Sequence, residues 1–477
     1  MPGAPPPAEL QQRLADAAAD PATTSYGPIV GDLVLRQALA KDIRRVYEAE
    51  EVTEECVNVT AGCNMVRFPF GGSAGGLRGA DSQRLGWVVM AGQAFYATIL
   101  ALCGKGDEVI LPAPWYFNHE MTLTQLGVSI VPLHCRAPDF LPSVDECAAL
   151  ITPKTRALVL VSPNNPTGAL YPPSLLAQFA ALAQRSALPL ILDETYADFV
   201  PGGARPHELL AAPGWGAFLV RLFSLSKSYA VPGHRLGAIV AAPAFLAQVQ
   251  KTLDCLQICP ARPAQAAVAW AVEGVRAWRE GVRDELEQRQ ARFKGLVAGV
   301  DGWEVMVGSA YFAWVRHPFE GVGSEVVAAR LGEHVGLVVL PGESNATQGA
   351  PFVRVKPSSP TDLSSHRGLT GSFFCPPFDD VKDDRFIRFC KAALRLPAAA
   401  PQTLTRASLT APLRCSRGER RRYDAREGAC PVGSAQRHVE QSGIDGGRHL
   451  TLGQFEFAVE AAVGSSGGGV RPSQVST

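Results

Sequence analysis

The sequence predicts an α/β protein with a mostly parallel central sheet in a large domain, followed by a smaller α+β domain. Two fully apolar runs, residues 157–161 and 188–192, are typical of parallel strands buried on both faces. Each run ends at a polar segment, and open α/β sheets place their ligand contacts at the carboxyl ends of the strands. An amphipathic helical stretch, residues 264–297, follows, and we interpret it as the bridge to the smaller domain.

The composition is that of an ordinary globular protein with room for two domains. The 477 residues are 47% hydrophobic and 19% charged, and their formal net charge is zero. A neutral chain gives no reason to expect nucleic acid or an anionic membrane as a partner, and we predict neither. The sequence has no run of about 18 apolar residues that would predict a membrane span.

The cysteines and the N-terminus bear on the compartment. The 11 cysteines are scattered and odd in number, which predicts free thiols in a reducing compartment and argues against a metal site. The opening MPGAPPPAEL matches neither a secretory signal nor an Arg-rich transit peptide. We therefore expect a cytoplasmic protein.

In chain order, the first predicted elements are helices at residues 8–20 and 33–50, separated by a loop. A β-branched strand at 57–60 ends in a glycine turn, and a helix at 94–102 precedes the next strand at 107–111. A strand, a glycine turn and a helix make a phosphate cradle, because the amides at a helix N-terminus point at the anion.

The segment that carries the chemistry is residues 221–240, RLFSLSKSYAVPGHRLGAIV, which place Lys227 between apolar runs. A lysine there is disfavoured unless it is paired, exposed or used covalently, and desolvation or a nearby cation makes its amine a nucleophile. Ser224 and Arg235 supply the hydroxyl donor and the bidentate cation that a phosphate monoester requires. An isolated S-x-S-K would indicate a surface lysine, but G-x-R-x-G follows here, and we favour a functional site.

This combination resembles the cofactor-lysine segment of the class I/II aminotransferases, which have fold type I and use pyridoxal 5'-phosphate (PLP). The resemblance implies that Lys227 forms a Schiff base with PLP and that Ser224 and Arg235 hold the cofactor phosphate.

Two further motifs match the family in the same order. In SPNNPTG, the resemblance implies that Asn165 binds the phenolic oxygen of PLP and contributes to the substrate site, and Tyr196 is implied to bind the same oxygen. Asp193 is implied to keep the ring nitrogen protonated, a contact worth about 4 kcal/mol at an effective dielectric of about 20, before desolvation is subtracted. The alternatives are a plain Asn-Pro turn and a solvated strand-end acid.

The cradle resembles the family's GxNQAF, with Gly62, Cys63 and Asn64 as implied phosphate ligands. Residues 65–92 separate this turn from the helix that resumes at Gln93. We interpret residues 65–92 as an insertion, either a retained intron or a glycine-rich loop that bulges away.

An aromatic run follows the strand at 107–111. The resemblance implies that Tyr116 stacks on the pyridine ring, with Trp115 as the fallback, while ordinary core packing is the alternative.

The resemblance assigns two ligands near the ends of the matched region. Tyr26, in Y-x-P-I-x-G, is implied to reach the PLP phosphate of a partner subunit, which predicts a homodimer; a packing aromatic is the alternative. Arg388, in RFIRF, is implied to clamp the substrate α-carboxylate by bidentate geometry. Arg354 has a similar local sequence but lies in residues 343–370, which we interpret as a second insertion.

These assignments divide the chain into four parts. They are an N-terminal segment with an incomplete arm and part of the small domain (1–45), a large PLP-binding domain (46–270), a small domain (271–391) and a Pro/Ser/Gly/Arg-biased tail predicted to be disordered (392–477). The resemblance itself covers residues 1–64, 93–342 and 371–391.

The implied function is transamination, in which the amino group of an L-amino acid is exchanged with a 2-oxo acid through the Lys227 Schiff base. Lys227, once displaced by the substrate amine, is expected to move the α-proton. Two alternatives stay open: a lyase or synthase of the same family, and a catalytically impaired relative that keeps the motifs. The identity of the amino acid cannot be read from these residues.

Overall fold

The computed structural model describes residues 5–63, 66–69, 87–90, 93–335, 339–342 and 352–355. All of them belong to one compact unit, Met1–Gln402. Several subjects of the sequence predictions lie outside the described residues: Asn64, most of the segments 65–92 and 343–370, residues 371–391 with Arg388, and the tail at 392–477. The predicted domain boundaries stay predictions.

The described strands form three sheets. They are β1 (Val57–Thr60), β2 (Val66–Pro69), β3 (Trp87–Met90), β4 (Glu108–Ala113), β5 (Ser129–His134), β6 (Thr155–Val161), β7 (Leu190–Asp193), β8 (Leu219–Ser224), β9 (Gly237–Val240), β10 (Glu304–Ser309), β11 (Phe312–Arg316), β12 (Leu340–Pro341) and β13 (Phe352–Val355).

The helices surround these sheets. They are α1 (Ala8–Ala19), α2 (Leu33–Tyr47), α3 (Ala94–Leu102), α4 (Phe117–Leu126), α5 (Val144–Leu150), α6 (Pro173–Arg185), α7 (Leu225–Ser228), α8 (Pro243–Gln257), α9 (Arg262–Gly274), α10 (Arg276–Ala298) and α11 (Ser324–Val335). Within the described ranges, none of these helices combines the length and the apolar character that crossing a bilayer requires.

The central sheet has seven strands in the order β1-β9-β8-β7-β6-β4-β5. Strands β5, β4, β6, β7 and β8 are parallel, β9 runs antiparallel to β8, and β1 runs antiparallel to β9. This is the predicted α/β class with a mostly parallel sheet, and the prediction is confirmed. One apolar cluster packs on each face of the sheet, with Leu192 and Phe223 on one side and Ile191 and Leu222 on the other.

Two predicted elements are wrong in detail. The stretch 264–297 is two helices rather than one, because α9 ends at Gly274 and α10 begins at Arg276. Glycine and a β-branched valine are poor helix formers, and Val275 at the break is buried in the main core. The run 308–315 is a hairpin rather than one strand, since Ala310 adopts a left-handed φ of 48° between β10 and β11.

The smaller sheet has the order β10-β11-β13-β12, and all its neighbouring strands are antiparallel. Strand β13 lies within residues 343–370, the second segment that we interpret as an insertion. In the first such segment, β2 and β3 pair as an antiparallel ribbon, so these eight positions are not the loop that the glycine content predicts. Both insertions stay predictions.

Candidate active site

The carboxyl ends of the central strands bring together several of the residues predicted for the site. Asp193 ends β7, Ser224 ends β8, and the turn containing Gly62 follows β1 at the same edge of the sheet. The register pairs Val161 with Asp193, Asp193 with Leu222, Ser224 with Gly237 and Gly237 with Thr60. Segments that are far apart in the chain therefore meet at the edge where open α/β sheets bind ligands.

Asp193 is the acid at the centre of this edge. Its side chain is 2% exposed, and its Oδ1 accepts hydrogen bonds from the Thr195 amide at 3.0 Å and the Thr195 hydroxyl at 2.6 Å. The Nε2 of His119 lies 3.2 Å from Oδ2, and the Cys63 thiol lies 3.9 Å from each carboxylate oxygen. The Asp193 carboxylate is therefore buried and contacted by three other side chains.

His119 is a site residue that the sequence analysis did not assign. It is fully buried in the first turn of α4, with its ring 4.1 Å from the ring of Phe95 and 5.4 Å from that of Tyr116. A signal was present, because His119 follows the assigned Tyr116 by only three positions in the chain.

Tyr116 precedes α4 and is half-buried. Its hydroxyl accepts a hydrogen bond from Asn118 Nδ2 at 2.8 Å. Trp115, the fallback residue, packs against the apolar cluster that contains Ile191 and Leu222. Because Tyr116 lies beside His119, its aromatic ring is next to the pair that His119 forms with Asp193.

The Gly62–Cys63 turn is joined directly to α3 by backbone hydrogen bonds. The Gly62 carbonyl accepts from the amides of Gln93 at 2.8 Å and Ala94 at 3.1 Å, and the Cys63 carbonyl accepts from the Phe95 amide at 3.0 Å. The strand–turn–helix cradle is therefore formed although residues 65–92 intervene in the sequence.

Two glycines allow the backbone at the cradle to approach closely. Gly62 has a φ of 84°, in the region that favours glycine. At Gly237, an added Cβ would lie 2.7 Å from the Gly62 carbonyl carbon and 2.9 Å from the Cys63 nitrogen. A side chain at position 237 would therefore displace the turn.

The lysine segment lies beside this cradle. Ser224 caps α7, with its Oγ accepting from the Ser226 amide at 3.3 Å. Lys227 is half-buried, whereas residues 219–226 and 228–231 are all buried. The chain thus opens towards solvent at the one side chain that the sequence assigns to covalent chemistry.

Arg235 lies on the other side of the segment, in a left-handed conformation with a φ of 49°. Its guanidinium donates to Ser226 Oγ at 3.4 Å and to the Pro232 carbonyl at 2.9 Å. Burial lowers the pKa of Arg235, and nearby Tyr116 and Cys63 oppose that effect. Arginine stays charged despite such a shift, so the cradle keeps a positive group.

The Cys63 thiol is held neutral. Burial raises its pKa well above the ordinary value, and the negative charge of Asp193 adds to that increase, while Thr195 and Arg235 oppose it. Cys63 therefore lies within electrostatic reach of both Asp193 and Arg235, as an S–H group rather than a thiolate.

The two asparagines of the NNPTG turn differ in their contacts. Asn164 Oδ1 accepts from the Thr167 amide at 3.2 Å and the Thr167 hydroxyl at 2.9 Å, so this side chain stabilises the turn itself. Asn165, the residue assigned to the cofactor and substrate, is 6% exposed at the same sheet edge. Gly168 contacts the small sheet, where Ser309 Oγ donates to its carbonyl at 2.7 Å.

Tyr196 and Tyr26 lie in different surroundings. Tyr196 is buried, with its ring 4.9 Å from Phe312 and 6.2 Å from Tyr311 of the small sheet hairpin. Tyr26 is 80% exposed on the single chain. Its side chain is therefore not part of this chain's own core.

Comparison with known proteins identifies the family of this chain. Residues 87–366, more than half of the chain, match the family model described as aminotransferase class I and II. The chain belongs to the class I and II aminotransferases. Members of this family depend on PLP, so the predicted family, fold type, enzyme class and cofactor are confirmed.

Named relatives of this aminotransferase span several substrates. It is 29% identical to an aromatic aminotransferase of Arabidopsis thaliana, over 73% of this chain and 81% of that protein. It is 31% identical to an arginine–pyruvate transaminase of Pseudomonas aeruginosa, over 56% of this chain and 69% of that protein. The solved N-succinyldiaminopimelate aminotransferase of Mycobacterium tuberculosis matches with a TM-score of 0.64 at 27% identity, covering 75% of this chain and 87% of that one.

The residues of this aminotransferase fit PLP. A phosphate requires a hydroxyl and a cation, which Ser224 and Arg235 supply at the edge of the sheet where the Gly62–Cys63 turn lies. A ring nitrogen that must stay protonated requires a buried carboxylate, which Asp193 supplies. Because Gly237 has no Cβ, the Gly62–Cys63 turn can lie this close to position 237.

Proposed function

We propose that this chain exchanges the amino group of an L-amino acid with a 2-oxo acid, using the sheet edge around Asp193 and Lys227 as its active site. The observation that carries the proposal is the buried Asp193 carboxylate, which is contacted by Thr195, His119 and Cys63 on the same edge as α7. A solvated strand-end acid would have neither this burial nor these contacts.

Each residue of the site has an assigned task. Gly62 and Cys63 in the cradle, Asn64 after them in the chain, Ser224 and Arg235 would hold the cofactor phosphate, and Tyr116 would cover one face of the ring. Asn165 and Tyr196 bind the phenolic oxygen, and Asp193 holds the proton on the ring nitrogen.

When bound, PLP supplies a protonated ring that accepts the electrons left at the substrate α-carbon after proton removal. Lys227 attaches the cofactor at rest and moves that proton as base and then acid. Its half-buried position lowers the hydration of the amine while leaving it accessible to substrate. Arg388 and Asn165 orient the substrate carboxylate, which aligns the α-C–H bond for removal.

The substrate class is an L-amino acid paired with a 2-oxo acid acceptor. The relatives act, by name, on aromatic amino acids, arginine and N-succinyldiaminopimelate. A panel of amino acids with pyruvate and 2-oxoglutarate as acceptors identifies the pair that this chain prefers. Keto acid formed only in the presence of an acceptor distinguishes transamination from lyase chemistry.

We also propose a homodimer in which Tyr26 serves the partner's site. Tyr26 is 80% exposed, and Leu33 (48%) and Val34 (68%), at the start of α2, add exposed apolar surface close to it in the chain. Burial of such a surface against a second copy is favourable. We place the protein in the cytoplasm, because the seven cysteines in the described ranges form no disulfide with one another.

The deciding experiment uses the purified chain loaded with PLP. We expect a visible absorbance band that borohydride abolishes, and peptide mass spectrometry that locates the reduced pyridoxyl group on Lys227. Lys227→Ala should lose the band, while Lys251→Ala, an exposed lysine of α8, should keep it. A band that survives in Lys227→Ala, or a label on another lysine, contradicts the proposal.

A further inference from the structure

A buried arginine on α10 connects two segments of the active site without belonging to either. Arg279 is 6% exposed. Its guanidinium donates to Asp198 Oδ2 at 2.9 Å and to the Val272 carbonyl at 2.9 Å, and it lies 3.7 Å from Asp42 Oδ2. One planar cation therefore joins α10, the end of α9, α2 and the turn that contains Asp198.

The fourth contact of Arg279 leads to the lysine segment. Its guanidinium carbon lies 4.8 Å from the ring centroid of Tyr229, a cation–π distance. Tyr229 is fully buried and directly follows α7, and its amide donates to the Leu225 carbonyl at 3.2 Å. The next amide, that of Ala230, donates to the Lys227 carbonyl at 3.3 Å. The ring under Arg279 therefore belongs to the backbone turn that ends the helix of Lys227.

The Asp198 contact leads to the acid of the site. Asp198 lies in a short 3₁₀ turn, Ala197–Phe199, which begins directly after Tyr196. The strand that ends in Asp193 is five residues upstream. The two halves of the site, one after β7 and one after β8, therefore contact the same guanidinium from different directions.

The helix that carries Arg279 also packs on the small sheet. Val282 and Leu286 form one buried cluster with Tyr196, Phe199 and the hairpin residues Ala310, Tyr311 and Phe312. Further along α10, Gln290 Nε2 donates to the Phe312 carbonyl at 2.8 Å. A displacement of α10 would therefore change contacts both with the small sheet and with the turns next to Lys227 and Asp193.

We propose that Arg279 is a positioning residue for the active site: it fixes the Lys227 turn, through Tyr229, relative to the Asp193 turn, through Asp198. The proposal rests on the roles given to Lys227 and Asp193 above. Arg279 acts only through Tyr229 and Asp198, so its removal alters the alignment of the lysine amine and not the binding of substrate.

The test replaces the planar guanidinium of Arg279 by an ammonium group, which keeps the positive charge. In Arg279→Lys, the ammonium cannot donate to Asp198 and Val272 together and stack on Tyr229 at the same time. We expect kcat to fall about tenfold or more, with KM for the amino acid changed less than about threefold, as for losses of supporting contacts around a site. The pH midpoint of the visible band of bound PLP should shift by about one unit, since that midpoint reports the surroundings of the Lys227 nitrogen.

Two matched variants complete the test. Arg283→Lys, one turn along α10, makes the same change at an arginine that pairs with the neighbouring Asp284, and it should leave kcat and the midpoint unchanged. Asp198→Asn should resemble Arg279→Lys. The kcat of the double variant should be no lower than that of the more impaired single variant, because both single changes break the same contact between Arg279 and Asp198.

The outcomes are separable. An Arg279→Lys enzyme with a lower melting temperature but wild-type kcat and midpoint overturns the positioning role, and so does a loss of the same size in Arg283→Lys. If the wild-type enzyme is not labelled at Lys227 after borohydride, the proposed function itself fails. Labelling at Lys227 together with an unchanged Arg279→Lys overturns the Arg279 proposal alone.

Discussion

The imidazole of His119 lies 3.2 Å from the carboxylate of Asp193, and both side chains are buried. The contact joins the first turn of α4, the helix that follows β4, to the end of β7. One strand, β6, lies between β4 and β7 in the sheet. Because Phe95 stacks on the same imidazole at 4.1 Å, the ring has little freedom to rotate away. The buried imidazole therefore limits how far the Asp193 side chain can move, and Asp193 is the residue that we propose to hold the proton on the cofactor nitrogen.

His119→Gln tests that role. We expect kcat/KM to fall about 10–100-fold, because Asp193 loses a buried neighbour that limits its movement. The PLP content after purification should fall less than the activity. His134→Gln, at the exposed end of β5, is the control and should keep full activity. Wild-type kinetics in His119→Gln would contradict the assignment.

Gly237→Ala tests the close approach at the cradle. The added Cβ would meet the Gly62 carbonyl carbon at 2.7 Å and the Cys63 nitrogen at 2.9 Å, so the turn must shift. We expect weaker PLP binding and a stability loss of about 1–3 kcal/mol, typical of overpacking. Titration of apoprotein with PLP measures the first, and urea unfolding measures the second.

The control for this change lies four positions upstream. Gly233→Ala meets nothing within 4 Å and occupies ordinary backbone, so it should bind PLP like the wild type. Equal affinities of the two variants for PLP would rule out the close approach as the reason for glycine at position 237.

A buried charge cluster next to Asp193 predicts a pH dependence of stability. Burial alone raises the pKa of Glu194, but His207 and Arg221 outweigh it and lower the pKa to about 2, from the model-compound value of 4.5. A lowered pKa stabilises the fold above pH 4.5, and that contribution, about 3 kcal/mol, is lost as the pH falls from 4.5 towards 2. The midpoint of urea unfolding should fall over this window.

Arg221→Met should remove much of this contribution. The change leaves Glu194 buried with one cation fewer, and we expect a loss of about 3–5 kcal/mol at neutral pH. Acid unfolding should then begin at a higher pH, because the pKa of Glu194 moves up. The surface pair Arg205–Glu48 is the comparison: Arg205→Met should cost less than about 1 kcal/mol. Equal losses of stability in the two variants would show that the buried cluster contributes no more than a surface ion pair.

Complementation tests the contribution of Tyr26 to the partner's site. Tyr26→Ala and Lys227→Ala should each be strongly impaired alone. After joint unfolding and refolding, each mixed dimer has one site with both native residues, so about a quarter of wild-type activity should return, since half of the dimers are mixed. No gain above the summed activities of the parents would mean that Tyr26 acts within its own chain or not at all.

The sequence alone determined the fold class, the main strands and the family of this protein. Those features are local: apolar runs such as 157–161 and 188–192 are typical of central strands, and the lysine segment and the NNPTG turn carry their pattern in consecutive residues. Short-range preferences of the backbone and the hydrophobic effect are sufficient for such features.

Only the tertiary structure decided which residues surround the acid and where the long helix breaks. His119 and Cys63 lie 74 and 130 positions from Asp193 in the chain, and Arg279 reaches Tyr229 across 50 positions. Such contacts depend on which side chains the packed strands and helices bring within a few ångströms. Burial then sets the pKa of the Cys63 thiol and the strength of the charge pairs, and no local pattern of residues contains that information.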